Sequence, residues 1–248
     1  MFTEKRHKLI LERLHQEGAV KTLDLVSDLN SSESTIRRDL ANLEEMNFLK
    51  RVHGGAVLLQ SKMSEPSYQD KAQLNNTDKE HIAKYAAALI KDGDSIYLDS
   101  GTTIFAMIKH LASKNIMVVT NGVSHVEALM EHQIPFTLVG GRVKPGTKAS
   151  MGSEALAFLS RYRFDKCFVG ANGVHCELGY TTPDPEEGAL KGLAIKLSQE
   201  PFIVADASKL GEISFMEFAP LEKACLITGA HEKIQDYLDK TRVEVVEG

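Results

Sequence analysis

This sequence predicts an α/β fold in two parts, a small helical head closed by a hairpin and a larger, doubly wound, mostly parallel sheet. Three observations carry that expectation. Residues 5–43 hold three short helical patterns, six short apolar runs alternate with helical patterns from Ser95 onward, and small polar residues cluster directly after five of those runs.

In the head, Lys5 to Glu17 places Ile10, Leu11 and Leu14 on one helical face, Gly18 breaks the pattern, and Thr22 to Leu29 resumes it with Leu23, Val26 and Leu29. The run Ser31 to Leu40 then reads as a third helix capped by Ser31 or Ser32. At roughly 100° per residue, Ile36, Leu40 and Leu43 share one stripe while Ser34, Arg38 and Ala41 point the other way. One face packs and the other is free, as in the recognition helix of a helix-turn-helix. Its small residues allow close approach to a DNA groove, Arg38 reaches a guanine edge, and Thr35 and Arg37 hold base edges or phosphates. Phe48 to Val57 reads as two short extended pieces with Arg51 and His53 just before Gly54-Gly55, a wing suited to DNA backbone. Residues 1–60 carry nine Lys+Arg and nine Asp+Glu, so charge placement and not bulk charge must make the contact.

The chain has 248 residues, 43% of them hydrophobic and 25% charged, enough to bury one small and one medium core. No uninterrupted apolar run suggests a signal peptide or membrane span, so a cytoplasmic protein is expected. Cys167, Cys176 and Cys225 form no C-x-x-C pair, which suggests neither a disulfide framework nor a metal site. Beyond residue 60 there are 20 Lys+Arg against 25 Asp+Glu, a balance that argues against nucleic-acid binding there. Domain boundaries are expected at 1–58, 59–76 and 77–248. The middle stretch reads as a polar linker around Pro66, and Thr77-Asp78-Lys79-Glu80 has capping-box spacing before a helix with Ile82, Tyr85, Ala86 and Leu89 on its apolar face.

The six apolar runs are 96–98, 117–119, 136–139, 167–169, 202–204 and 225–227, a spacing that predicts parallel strands. The clusters Asp99-Ser100-Gly101-Thr102-Thr103, Thr120-Asn121-Gly122, Gly140-Gly141, Gly170-Ala171-Asn172-Gly173 and Asp206-Ala207-Ser208-Lys209 would line the carboxyl edge of one sheet, where open α/β sheets bind ligands. Ser100 to Thr103 open a helix carrying Ile104, Ile108 and Leu111, which presents backbone N–H groups and hydroxyls as a phosphate cradle. Gly140 and Gly141 allow backbone to approach a ligand; Arg142 and Lys144 nearby could neutralise an anion, though ordinary surface charge is the plainer reading of that pair. The candidate ligand residues are therefore Asp99, Ser100, Gly101, Thr102, Thr103, Thr120, Asn121, Gly140, Gly141, Asn172, Asp206 and Lys209. No G-x-G-x-x-G occurs, and Gly141 to Lys148 reads Thr147-Lys148 where a P-loop needs Lys then Ser or Thr, so no nucleotide cofactor is expected.

Thr35-Ile36-Arg37-Arg38-Asp39-Leu40, followed by Leu43-Glu44 and Arg51-Val52-His53-Gly54-Gly55-Ala56, resembles the amino-terminal signature of DeoR-family transcriptional regulators. The resemblance extends over nearly the whole chain. It implies a winged DNA-binding domain and a sugar-phosphate-sensing domain, with double-stranded operator DNA and a phosphorylated sugar as partners, in a homo-oligomer (dimer or tetramer). The expected function is repression of a sugar or sugar-phosphate catabolic operon. The carboxyl part also resembles, more distantly, ribose-phosphate isomerases and glucosamine-phosphate deaminases, which raises an enzyme with an added amino-terminal domain as the alternative. Isomerisation needs a base, for which Asp99, Glu186, Glu187, Asp206 and Lys209 are the candidates. Asn172 stands where related sequences commonly carry Asp, and an amide cannot take a proton from carbon, so binding without turnover is favoured and no catalytic residue is assigned. Asp99, Asp206 and Lys209 read equally well as a structural ion pair at the sheet edge.

Overall fold

The computed structural model describes residues 3–46, 48–58, 62–63, 65–112 and 114–247, the side chains at positions 4, 15, 16 and 58 excepted. Two units divide the chain, ending at Ser61 and beginning at Lys62.

In the first unit, α1 (Thr3–Glu17) leads to β1 (Ala19–Lys21), α2 (Thr22–Asp28), α3 (Glu33–Glu45), β2 (Leu49–Val52) and β3 (Gly55–Leu58). Gly18 turns the chain at φ +73°, a region open to glycine at little cost. Ser32 is the N-cap of α3, its hydroxyl accepting the Thr35 N–H at 3.2 Å. Ile10, Leu14, Leu25, Ile36, Leu40, Leu43 and Leu49 close one small core. The strands form an antiparallel sheet in the order β1-β3-β2, and β1 is an element that periodicity alone did not announce. Gly55 is required here, because a Cβ would lie 2.0 Å from the Val20 carbonyl oxygen across the β1–β3 pair.

The second unit opens with α4 (Tyr68–Gln73) and α5 (Asn76–Ala88), then β4 (Ser95–Leu98), α6 (Thr102–Met107), β5 (Met117–Thr120), α7 (His125–Glu131) and β6 (Phe136–Leu138). A hairpin of β7 (Arg142–Lys144) and β8 (Ala149–Met151) precedes α8 (Ser153–Leu159) and β9 (Phe164–Gly170). Next come β10 (Gly173–His175), β11 (Gly179–Thr182), α9 (Pro185–Lys196), β12 (Ser198–Val204), β13 (Met216–Ala219), β14 (Cys225–Gly229), α10 (Gln235–Leu238) and β15 (Val243–Val246). Seven strands make one sheet in the order β15-β14-β12-β9-β4-β5-β6, every neighbouring pair parallel. Both faces are covered. Ile96, Leu98, Phe168, Phe202 and Ile227 pack on one side with α5 and α6, while Tyr97, Cys167, Val169, Ile203 and Leu226 pack on the other with α8 and α9. That alternation of buried residues explains why the strands read as continuous apolar runs.

Each of the six runs coincides with a strand of this sheet, Val139 lying one residue past the end of β6, and β15 is the seventh. Strands β10, β11 and β13 form a separate antiparallel sheet.

Three expectations need correction. Leu23, expected on the apolar face of α2, is 69% exposed, and Leu25 is buried in the core in its place. The stretch 59–76, expected to be a linker, contains α4 with a complete capping box between Ser67 and Asp70; residues 59–61 and 64 of it lie outside the described residues. The capping box expected at Thr77 and Glu80 is absent. Asn75, at φ +53°, is the N-cap of α5 without a side-chain bond, and Glu80 instead pairs with Lys109 at 2.7 Å and His110 at 2.9 Å.

Candidate DNA-reading face and ligand site

Helix α3 buries Ile36, Asp39, Leu40 and Leu43 and exposes Ser34, Arg37 and Arg38, with Thr35 half-buried. Asp39 explains how the helix is held. Its carboxylate, 2% exposed, accepts Arg6 Nε at 2.6 Å, Arg6 Nη2 at 3.0 Å and His7 Nε2 at 3.1 Å, tying α3 to α1 from behind the free face. Of the reading residues, Arg37 lies against Glu33 at 2.6 Å, whereas the exposed Arg38 makes no ion pair among the described residues. The wing is the β2–β3 hairpin. Val52 pairs with Gly55, which leaves His53 and Gly54 as its two-residue turn, with Gly54 at φ +82°. His53 is exposed at that tip, and the Arg51 N–H is held by Glu44 Oε1 at 2.8 Å. A cationic helix face and a hairpin tip together suit phosphate and groove contacts.

In the second unit, the chain leaves β4 toward β5 and β6 and then returns to the other flank of β4 through β9. The order of strands reverses between β4 and β9. At such a reversal the connections diverge to opposite faces and leave a crevice at the carboxyl ends. Asp99 follows β4, Gly170 ends β9, and the two meet there: the Gly170 N–H donates to Asp99 Oδ2 at 3.0 Å. Lys191 of α9 donates to the same Oδ2 at 2.5 Å and to the Gly170 carbonyl at 3.2 Å. Burial pushes the Lys191 ammonium down, but the carboxylates of Asp99 and Glu187 outweigh it and hold it above its ordinary value. Two charges taken out of water contribute little net stability on average, so their place at the carboxyl edge of the sheet, where the strand order reverses, is the informative fact.

A second charged group adjoins this one. Asp184 caps α9, its carboxylate accepting the N–H groups of Glu186 and Glu187 at 2.9 and 3.3 Å. Lys144 of β7 reaches Asp184 at 2.9 Å, Glu65 at 2.8 Å and Glu187 at 3.4 Å. Glu65 also takes Lys71 at 2.7 Å and the Asn172 amide nitrogen at 3.4 Å. Burial pushes the Glu65 carboxyl up, yet Lys71 and Lys144 outweigh it and hold it below the usual carboxylate range. Glu187 goes the other way: burial raises it and Glu65 adds to that, against Lys191, Thr147 and Lys144. The Thr147 hydroxyl donates to it at 2.6 Å.

The remaining candidates stand at or just beyond the carboxyl ends of β4, β5, β6, β9 and β12. Gly101 offers no side-chain cap to α6, and Ser100 and Thr103 are buried with Thr102 half-buried beside it. Thr120 is committed internally, donating to the Leu98 carbonyl at 2.7 Å and lying 3.0 Å from His125 Nδ1. Asn121 donates to the Ser150 carbonyl at 3.2 Å, while its own Oδ1 and Ser150 Oγ are buried with no hydrogen-bond partner among the described residues. Burial lowers His125 to about 4. Gly141, at φ +143°, is pressed against β8, where a Cβ would lie 2.6 Å from the Met151 carbonyl; Gly140 has open space beside it. Asn172 is already bonded at both ends of its amide, with the Thr182 hydroxyl donating to Oδ1 at 3.2 Å. Asp206 accepts Asn75 Nδ2 at 3.0 Å and the Ser208 N–H at 3.1 Å. The ion pair considered among Asp99, Asp206 and Lys209 does not form, because Lys191 takes Asp99 and the Asn75 amide takes Asp206. Arg142 is the exposed partner of Glu186 at 2.7 Å. A cleft of about 320 Å³ lies at the opposite sheet edge, lined by Pro201, Glu222, Cys225 and Arg242, and contains none of the candidates.

The sequence did not point to Glu65, Lys71 and Lys191 as members of this charged cluster. Lys191 left a signal, since Glu187 and Lys191 stand four apart on one face of a helix otherwise rich in Ala, Leu and Gly. Glu65 and Lys71 left none, lying in the stretch that composition marks as linker.

Comparison with known proteins agrees with both halves. Residues 6–62 match the family model described as DeoR-like helix-turn-helix domain, and residues 74–230 match the DeoR C terminal sensor domain. The HTH-type transcriptional regulator FruR of Bacillus subtilis is 49% identical over 99% of each chain. The HTH-type transcriptional repressor GlcR of the same species is 34% identical, over 99% of this chain and 96% of that one. The lactose phosphotransferase system repressor of Staphylococcus epidermidis is 34% identical, over 93% and 95%. Among solved structures, ribose 5-phosphate isomerase A of Methanocaldococcus jannaschii is similar at 21% identity and a TM-score of 0.42, over 55% of each chain. The fold assignment rests on the sheet topology and not on that slight likeness. The relatives that span the chain are regulators, which sets the enzyme alternative aside. This chain belongs to the DeoR family of DNA-binding transcriptional regulators.

Proposed function

We propose that this regulator represses a sugar or sugar-phosphate catabolic operon, acting in the cytoplasm as a homo-oligomer, with a phosphorylated sugar as effector. Ser34, Thr35, Arg37 and Arg38 read operator base edges and phosphates, and Arg51, His53 and Gly54 press the wing on the backbone. The effector occupies the carboxyl edge of the parallel sheet, from Asp99 to Thr103 across to Asn172, Asp206 and Lys209. The observation that carries this reading is the Asp99–Gly170–Lys191 group standing where the strand order reverses. The family supports a sugar ligand, since one relative is named as repressor of a lactose phosphotransferase system. A symmetric oligomer sets two recognition helices on half-sites about one helical turn or a multiple apart, and effector binding changes operator affinity by shifting their relative position.

The test is fluorescence anisotropy of the protein on its own upstream promoter DNA, at fixed salt, with and without a panel of sugar phosphates. The expected result is nanomolar-range specific binding that one sugar phosphate changes at least tenfold. Specific binding indifferent to every member of the panel would remove the effector from the proposal.

A further inference from the structure

The segment that enters the second unit carries a charge to the sheet edge. Glu65 lies four residues past Ser61, its side chain only 7% exposed. Its two carboxylate oxygens are divided between cations, Oε1 on Lys71 at 2.7 Å and Oε2 on Lys144 at 2.8 Å, with the Asn172 amide 3.4 Å from Oε1. Two ammonium groups and an amide donor around a pair of oxygens are what a phosphate monoester also requires.

The segment is pinned on either side. The Lys62 carbonyl accepts the Phe215 N–H at 3.1 Å. Beyond it, the Ser67–Asp70 capping box starts α4, the Tyr68 N–H donates to the Gly146 carbonyl at 2.7 Å, and Lys148 lies 5.0 Å over the Tyr68 ring. Lys79 closes the far end of α4 by donating to the carbonyls of Lys71 and Leu74. Among these anchors the Glu65 contact is the ionic one, and an anion can compete with it.

Exchange keeps the local charge close to where it stands. Asp99, Glu65, Asp184 and Glu187 face Lys71, Lys144 and Lys191, an excess of one carboxylate that falls to balance when Glu65 withdraws and is restored by the incoming anion. Glu187 is also held partly toward its neutral form by its burial and by Glu65 itself.

We infer that Glu65 is an internal stand-in for the effector's anionic group, occupying a site formed by Lys71, Lys144 and Asn172 from which a phosphate monoester displaces it. This rests on the effector reading above. Displacement releases the ionic anchor of the segment leading from the DNA-binding unit, so occupancy of the site is passed along the chain through residues 62–67. Bound and unbound states then differ in an identified contact, which is what a ligand needs in order to shift a conformational equilibrium.

The experiment uses the full-length protein and inorganic phosphate as the probe, by isothermal titration calorimetry on the native chain and on Glu65→Gln. The glutamine keeps the shape and removes the competing charge, and it should bind phosphate at least tenfold more tightly than native protein; Lys144→Met added to it should abolish the gain. Equal or weaker binding by Glu65→Gln overturns the inference, as does absence of phosphate binding in both. A second measurement needs no variant: hydrogen–deuterium exchange of the native protein should rise over residues 63–67 at saturating phosphate, and unchanged or slower exchange there overturns the inference even if Glu65→Gln does not fold. The two readings fail separately. A sugar phosphate bound equally by native protein and Glu65→Gln removes the stand-in and leaves the effector, whereas tight phosphate binding by Glu65→Gln with no sugar phosphate altering DNA affinity removes the effector and leaves the anion site.

Discussion

Asp39 in the first unit and Asp99 in the second are both carboxylates no more than 2% exposed, and both are held by cations from distant parts of the chain. Their surroundings differ. Asp39 lies on the inward side of α3, where Arg6 and His7 join two helices, so the pair serves to aim the exposed face of the recognition helix. Asp99 stands at the carboxyl edge of the parallel sheet, at the reversal of strand order, where the proposed effector site lies. The same ion-pair chemistry is scaffolding in one place and a candidate site in the other. Position in the fold makes the difference. Asp39 also belongs to the motif that carries the family resemblance, which shows that a signature residue can be a framing residue.

The comparison can be broken most severely by removing one partner. Lys191→Ala leaves Asp99 buried and uncompensated and should cost the second unit about 3–5 kcal/mol, with Asp39→Ala doing comparable damage to the first unit. Chemical denaturation of each variant checks this. A loss of the same size in the unit that does not carry the substitution would break the comparison.

Acid should separate the units next. Burial lowers His125 to about 4, from 6.5 in an unfolded chain, so between those values the unfolded state binds more protons and stability rises with pH. The contribution is complete above about pH 6.5 and is lost as pH falls toward 4, about 3 kcal/mol in all. Denaturation midpoints of the second unit across that window, in native protein and His125→Gln, should show a steep slope that the variant flattens.

Arg38→Ala should reduce discrimination between operator and unrelated DNA by about 1–3 kcal/mol while leaving the melting temperature unchanged. Competition binding at constant salt measures it, and an unaltered operator preference would move guanine reading to another residue. The smallest effect is on the same helix. Arg37→Ala removes an exposed pair with Glu33 and should change stability by no more than about 0.5 kcal/mol.

Residue periodicity by itself determined the three head helices, the buried stripe of Ile36, Leu40 and Leu43, the free face with Arg38, and six of the seven parallel strands. These are local properties: a repeat of 3.6 or an apolar run is set by residues a few positions apart. It also placed polar clusters after five strands, because parallel strands buried on both faces end where polar residues begin. The order of those strands was decided only in three dimensions, and with it the reversal between β4 and β9 that brings Asp99 and Gly170 together. Lys191 lies 92 residues from Asp99 and Glu65 lies 107 from Asn172, separations over which no sequence period links one partner to the other. Asn75 against Asp206, and the docking of α4 in a stretch that reads as linker, belong to the same class. The physical reason is that burying a charge is costly unless a partner meets it, and which partner does so is settled by how the whole chain packs.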